Sequence, residues 1–242
     1  MTIHGKTILV TGASRGIGQA LVEEALRRGA VRVYAAARHP LAHADERVTS
    51  LIVDVSDASQ VQAAAATVES LDLLINNAGV QPLDDLSGPA ALEQALAVNL
   101  FGPYLMSLAL LPALTRSQGT IVNNLSLAAI APLPFAPAYS ISKAAALSLT
   151  QSLRMLLARR GVSVHSVLTG PVDTEMTRDL EIPKASPDSV ARAIFDGIAD
   201  GDEDIFPDVM SQTVADGWRG GVAKQFERQN VALLPPAESV AS

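Results

Sequence analysis

Cysteine is absent from the sequence, which excludes disulfide bonds, thiolate nucleophiles and cysteine-bound metal and fits an intracellular protein. Histidine is scarce as well. Of His4, His39, His43 and His165, only His39 and His43 stand at helical spacing, Pro40 lies between them and no third ligand follows, so no metal site is expected. No uninterrupted apolar run reaches the ~18 residues that span a bilayer. The start, Met1-Thr2-Ile3-His4-Gly5-Lys6, lacks the apolar segment of a signal peptide. The expectation is a soluble, cytoplasmic protein with no membrane partner. Basic side chains are the minority, 18 against 25 acidic for a net charge of −7, so the surface should repel nucleic acid and anionic lipid. Small molecules remain as the partner class.

What is present is a regular alternation. Thr7–Val10, Arg32–Ala36, Leu51–Val53, Leu73–Ile75, Thr120–Asn123 and Val162–Leu168 read as apolar strands. Between them Ile17–Arg28, Ser59–Ser70, Ala90–Leu114, Tyr139–Arg160 and Ser189–Ala199 read as helices, the last opened by Ser186-Pro187-Asp188. Strand–helix alternation of this kind predicts an α/β protein with a single doubly wound parallel sheet flanked by helices. At 242 residues the whole chain, 1–242, fits one domain that buries roughly 70–75% of its unfolded surface. After Thr174 the regularity drops. Glu175–Pro187 is polar and bounded by prolines, and a strand's carboxyl end precedes it, so 175–205 is expected to cover the substrate. Residues 208–242 form a C-terminal extension, helical over Ser211–Gln229 and frayed over Val231–Ser242.

The stretch Thr11-Gly12-Ala13-Ser14-Arg15-Gly16-Ile17-Gly18 follows the first strand and opens the first helix. Glycines at 12, 16 and 18 allow a sharp turn, close approach to a pyrophosphate and tight helix packing, while the helix N-terminus offers free N–H groups to the anion. Further on come Asn76-Asn77-Ala78-Gly79 after an apolar run, Asn99 in Val98-Asn99-Leu100-Phe101-Gly102, and Tyr139-Ser140-Ile141-Ser142-Lys143 with Ser126 placed 13 residues upstream of Tyr139. With these four motifs in this order, the sequence resembles the short-chain dehydrogenase/reductase family, from about residue 5 to about 176.

The resemblance implies a Rossmann fold, an NADP(H) or NAD(H) cofactor and a dimeric or tetrameric assembly. It implies that Tyr139 protonates a carbonyl oxygen, Ser126 hydrogen-bonds that oxygen, Lys143 binds the nicotinamide ribose and Asn99 fixes a water in a proton relay. It also implies that Gly12, Ser14, Arg15, Gly16, Ile17 and Gly18 cradle the cofactor, with Asn77, Ala78 and Gly79 lining it. Asp54 and Val55 would meet the adenine, and Gly170, Val172 and Thr174 the nicotinamide end. Thr169-Gly170 stands where the family usually has Pro-Gly.

Physical chemistry constrains two of these roles. A tyrosine has a free pKa of about 10, so acid–base work near neutrality calls for help, and Lys143 four residues on shares its helix face; an ammonium there should favour the phenolate. At the end of the second strand an NAD-binding chain would carry a carboxylate for the ribose, whereas Ala35-Ala36-Ala37-Arg38 offers none before Asp45, and Arg38 with Arg15 suits a 2′-phosphate. NADP(H) is therefore favoured over NAD(H). Leu127, Leu133, Phe135, Met176 and Ile182, with Ser126 and Tyr139, are the expected walls for a hydrophobic ketone, aldehyde or secondary alcohol. A non-catalytic NADP-binding regulatory or signalling protein and an NAD-dependent alcohol dehydrogenase are the alternatives, the former separated by whether NADPH is consumed.

Overall fold

In a computed structural model, which describes residues 1–234, seven strands form one all-parallel sheet. They are β1 (Thr7–Thr11), β2 (Arg32–Ala37), β3 (Val48–Ile52), β4 (Leu73–Asn76), β5 (Thr120–Asn124), β6 (Ser163–Val167) and β7 (Asp204–Ile205), arranged in the order β3-β2-β1-β4-β5-β6-β7. The helices are α1 (Gly16–Arg27), α2 (Ala58–Ala66), α3 (Ala90–Leu96), α4 (Gly102–Ser117), α5 (Pro137–Ala158), α6 (Pro187–Asp200), α7 (Val209–Gly220) and α8 (Val222–Asn230). Parallel neighbours demand crossovers, and the helices that make them cover both faces. Side-chain alternation sorts the core accordingly. Ile8 and Val10 of β1 pack with α1 and α6, where Phe195 is fully buried, while Leu9 packs with α2, α4 and α5 around Met106, Leu110 and Leu157.

The strand order reverses between β1 and β4, and the segments leaving their carboxyl ends diverge there into a crevice. Every strand expected from the sequence is present. β3 begins at Val48, three residues earlier than its apolar run, and β7 is an added two-residue strand. α2 stops at Ala66, and the expected 211–229 helix is two helices parted at Gly221, whose backbone is extended. Val231–Leu233 form a 3₁₀ turn; the expected fraying beyond residue 234 lies outside the described residues.

One apolar element escapes a count of apolar runs. α3, a π-helical segment (Ala97–Phe101) and α4 run on as a single 28-residue helix, Ala90–Ser117, in which an 18-residue stretch has a mean hydropathy of 1.5, enough by length and composition to cross a membrane. Counting uninterrupted apolar runs hid this, because Gln94, Asn99 and Gly102-Pro103 punctuate it. In the fold this helix buries Met106, Leu110 and Leu114 against the sheet.

Candidate active site

A cavity of about 930 Å³ opens in that crevice. Its floor begins at the glycine turn. Gly12 has φ +66°, a left-handed conformation, and a Cβ on Gly18 would stand 2.0 Å from the Gly12 carbonyl oxygen, so neither position tolerates a side chain. Arg15 precedes α1 without a side-chain cap, which leaves the helix's first N–H groups directed into the cavity. Thr11 Oγ1 accepts from the Asn77 and Ala78 N–H groups at 2.9 and 3.0 Å, and Asn77 Nδ2 donates to the Thr11 carbonyl at 3.0 Å. The turn after β1 and the Asn-Ala-Gly segment after β4 are thereby tied together.

Tyr139 and Lys143, on the first turns of α5, face the same cavity beside Ser126. No side chain of α5 caps its N-terminus; Asp84 Oδ2 accepts from the Ala138 N–H at 3.1 Å instead. Ser126 stands beside Tyr139 in the cavity, and its Oγ accepts from the Ala128 N–H at 3.1 Å. Lys143 Nζ lies 5.7 Å from the centre of the tyrosine ring and donates to the Asn124 carbonyl at 2.8 Å. Burial pushes the Tyr139 phenol up from its ordinary value, and the neighbouring Ser126 hydroxyl offsets only part of that. Burial also brings the Lys143 amine down to about 8. The expectation that the ammonium holds the phenol low is therefore corrected: desolvation of both groups dominates and keeps the phenol protonated.

Asn99 lies next to Gly79, as Lys143 does. It does not line the cavity and is 1% exposed. Its amide donates to the Val80 carbonyl at 2.8 Å and to Ser142 Oγ at 2.9 Å, and its oxygen accepts from the Val80 N–H at 2.9 Å. The side chain thus clamps the segment after β4 to α5, from within a π-helical turn that opens the i→i−4 ladder.

The match of a short chain dehydrogenase family model to residues 6–184 covers most of the chain. The protein belongs to the short-chain dehydrogenase family. It is similar to the crystal structure of a short chain dehydrogenase from Burkholderia cenocepacia J2315 in complex with NADP, at a TM-score of 0.86 and 37% identity over 98% of this chain and 100% of that one. A short chain dehydrogenase from Monascus purpureus is 37% identical over 200 residues, 73% of this chain and 68% of the relative. The 3-oxoacyl-(acyl-carrier-protein) reductase of Vibrio harveyi is 32% identical over 192 residues, 74% and 79% of the two chains.

In this short-chain dehydrogenase the other sequence-predicted residues all line the one cavity: the glycine turn, Arg38, Asp54 and Val55, Asn77–Gly79, Gly170, Val172 and Thr174, and the five apolar walls Leu127, Leu133, Phe135, Met176 and Ile182. Asp54 turns its carboxylate to the Ser56 hydroxyl and N–H, which lower its pKa together with the nearby Arg38 charge. Arg15 is ion-paired across the cavity mouth with Glu175, which also binds Arg178 at 2.9 Å. Of the segment 175–205, only 175–188 reaches the cavity. α6 instead buries Val190, Ile194 and Phe195 against the sheet, and a bridge between Val172 and Ala185 closes the loop in front of it. No motif in the C-terminal extension signals that it touches the site. Met210 of α7 lines the cavity, and Asp208, the cap of α7, accepts from the Gly170 N–H at 2.7 Å. The likeness to the Burkholderia structure spans nearly all of both chains, so this extension is shared.

Proposed function

We propose that the protein reduces a hydrophobic ketone or aldehyde to an alcohol with NADPH, reversibly. The observation that carries this is the meeting of Ser126, Tyr139 and Lys143 in the cavity that also holds the glycine turn. The chain's own residues fit a phosphorylated dinucleotide: uncapped α1 N–H groups for the pyrophosphate, a turn a Cβ would obstruct, and exposed Arg38 at the rim with no carboxylate at the end of β2. When bound, NADPH supplies the hydride.

The protein contributes position and a proton. Tyr139, kept protonated by burial, holds its hydroxyl proton where Ser126 also points, so a carbonyl oxygen seated there takes a hydrogen bond from each as negative charge develops. Lys143, whose Nζ donates to the Asn124 carbonyl at the cavity wall, meets the ribose hydroxyls. Asn99 acts by fixing Val80 to α5. Leu127, Leu133, Phe135, Met176 and Ile182 exclude water and select apolar substrates. Residues 175–188 cover the substrate. The exposed Phe101 of the π-helical segment, Tyr104 and Leu108 of α4 and Ile141 and Leu156 of α5 suit packing against a second copy.

The test is NADPH consumption across a panel of aliphatic and aromatic ketones and aldehydes, with aldoses as polar controls, for the wild type and Tyr139→Phe. Wild-type turnover on apolar carbonyls should fall at least ~100-fold in the variant, the scale of general acid catalysis, while NADPH binding persists. Tight NADPH binding with no consumption on any carbonyl would establish the non-catalytic alternative.

A further inference from the structure

Main-chain pairing between β4 and β5 ends at Asn76 opposite Asn123, and between β1 and β4 at Val10 opposite Ile75. Beyond those points side chains continue the ladder by one rung. Thr169 Oγ1 donates to Asn124 Oδ1 at 3.0 Å, Asn124 Nδ2 donates to Asn77 Oδ1 at 2.9 Å, and Asn77 Nδ2 donates to the Thr11 carbonyl at 3.0 Å. Every link runs in one direction, from Thr169 to Thr11. Both amides are fixed by this order, since turning either would oppose two donors or two acceptors. Thr169, Asn124 and Thr11 are all buried, so a missing link leaves a polar atom without water to replace it.

The two ends of this chain belong to two segments that both line the cavity. Thr11 begins the glycine turn, and Thr169 begins the loop 169–174, whose further anchors are the Leu127 N–H on the Thr169 carbonyl and Asp208 on the Gly170 N–H. The middle of the chain is the residue whose carbonyl accepts from Lys143 Nζ. We propose that Thr169 and Asn124 are positioning residues that hold the two segments at the spacing a whole dinucleotide requires. A proline at position 169 could supply no such donor, so the Thr169-Gly170 pair is the part of this chain built for the Asn124 amide.

This inference rests on the dinucleotide reading, and calorimetric binding separates the two. NADPH spans both segments, whereas 2′,5′-ADP reaches only the glycine-turn side. Thr169→Val keeps the side chain's shape and removes the donor. It should weaken NADPH about tenfold, the scale of an unpaired buried acceptor, and leave 2′,5′-ADP within about twofold. Thr169→Ser, which restores the hydroxyl, should return NADPH to within about twofold of wild type. Asn124→Leu, which breaks two links, should show the same split, and adding Thr169→Val to it should cost little more. Equal weakening of both ligands in Thr169→Val would assign the chain to fold stability alone and overturn the inference, as would unchanged NADPH affinity. A wild type that binds neither ligand overturns the dinucleotide reading and this inference with it.

Discussion

Arg38 and Arg15 share a charge and a cavity rim, yet the structure separates their availability. Arg15 is held by Glu175, whereas Arg38 is exposed beside Asp54, whose carboxylate is occupied by Ser56. The cofactor's 2′-phosphate should therefore depend on Arg38 first. Arg38→Ala is expected to raise the Kd for NADPH roughly ten- to a hundredfold, as loss of a charge-assisted bond implies, with NADH almost unchanged. Titration of both cofactors by fluorescence checks this; equal loss for both would make Arg38 a surface residue. Local spacing carried the residue-scale reading: Tyr139 and Lys143 four apart on a helix, and Ser126 just past a strand, all meet in one cavity. What spacing could not carry was environment. The Lys143 amine is itself brought down by burial, and Asn99 turns its amide to Val80 and Ser142, a pairing across 19 and 43 residues that leaves no local trace.

Elements with strong apolar runs were legible to within a few residues, and those held by long-range polar contacts were not. β3 starts early because Thr49 and Ser50, on an edge strand covered on only part of its surface, need not be apolar. β7 is two residues long and has its carboxylate, Asp204, buried. That carboxylate explains why the C-terminal extension docks where it does. Burial alone would raise Asp204, but Arg154, Lys224 and Ser166 together hold it well below the usual carboxylate range. Lys224 of α8, 1% exposed, stands 2.8 Å from both Asp204 and Glu227 and 3.0 Å from Glu203, while Trp218 Nε1 donates to Asp204 at 2.8 Å. Removing one partner from a buried ionic group strands the others, so Lys224→Met is expected to cost about 3–5 kcal/mol in urea unfolding. Arg228→Ala, an exposed cation 3.5 Å from Glu203, should cost under about 1 kcal/mol. Equal effects would mean that α8 is held by its apolar contacts.

For the molecule as a whole, burial of ionisable groups makes stability rise with pH in separate windows. Lys143 is lowered to about 8 in the fold against about 10.4 when unfolded, so the unfolded chain binds more protons between those values and stability rises with pH across that window. Lys143→Met lacks this dependence. Its stability relative to wild type, read as the difference in urea midpoints, should therefore decline from pH 8 to pH 10; a constant difference would mean the amine titrates as if in water. On the acid side His165, lowered first by burial, and Asp204, held low by its cations, bind fewer protons folded than unfolded. Stability is lost as pH falls below about 6.5 for the first and about 3.9 for the second. The parallel sheet itself was predictable from alternation alone, but where its two halves join was not. β1 meets β2 across a short crossover, Thr7 opposite Arg32, and meets β4 only across a much longer one, Ile8 opposite Leu73. Closing the longer span costs more chain entropy, so the β1–β2–β3 unit forms more readily than the seam beside it. The cleft is that seam. In refolding, recovery of helix content should precede recovery of ligand binding, and a saturating ligand will draw the population toward chains whose seam has already closed.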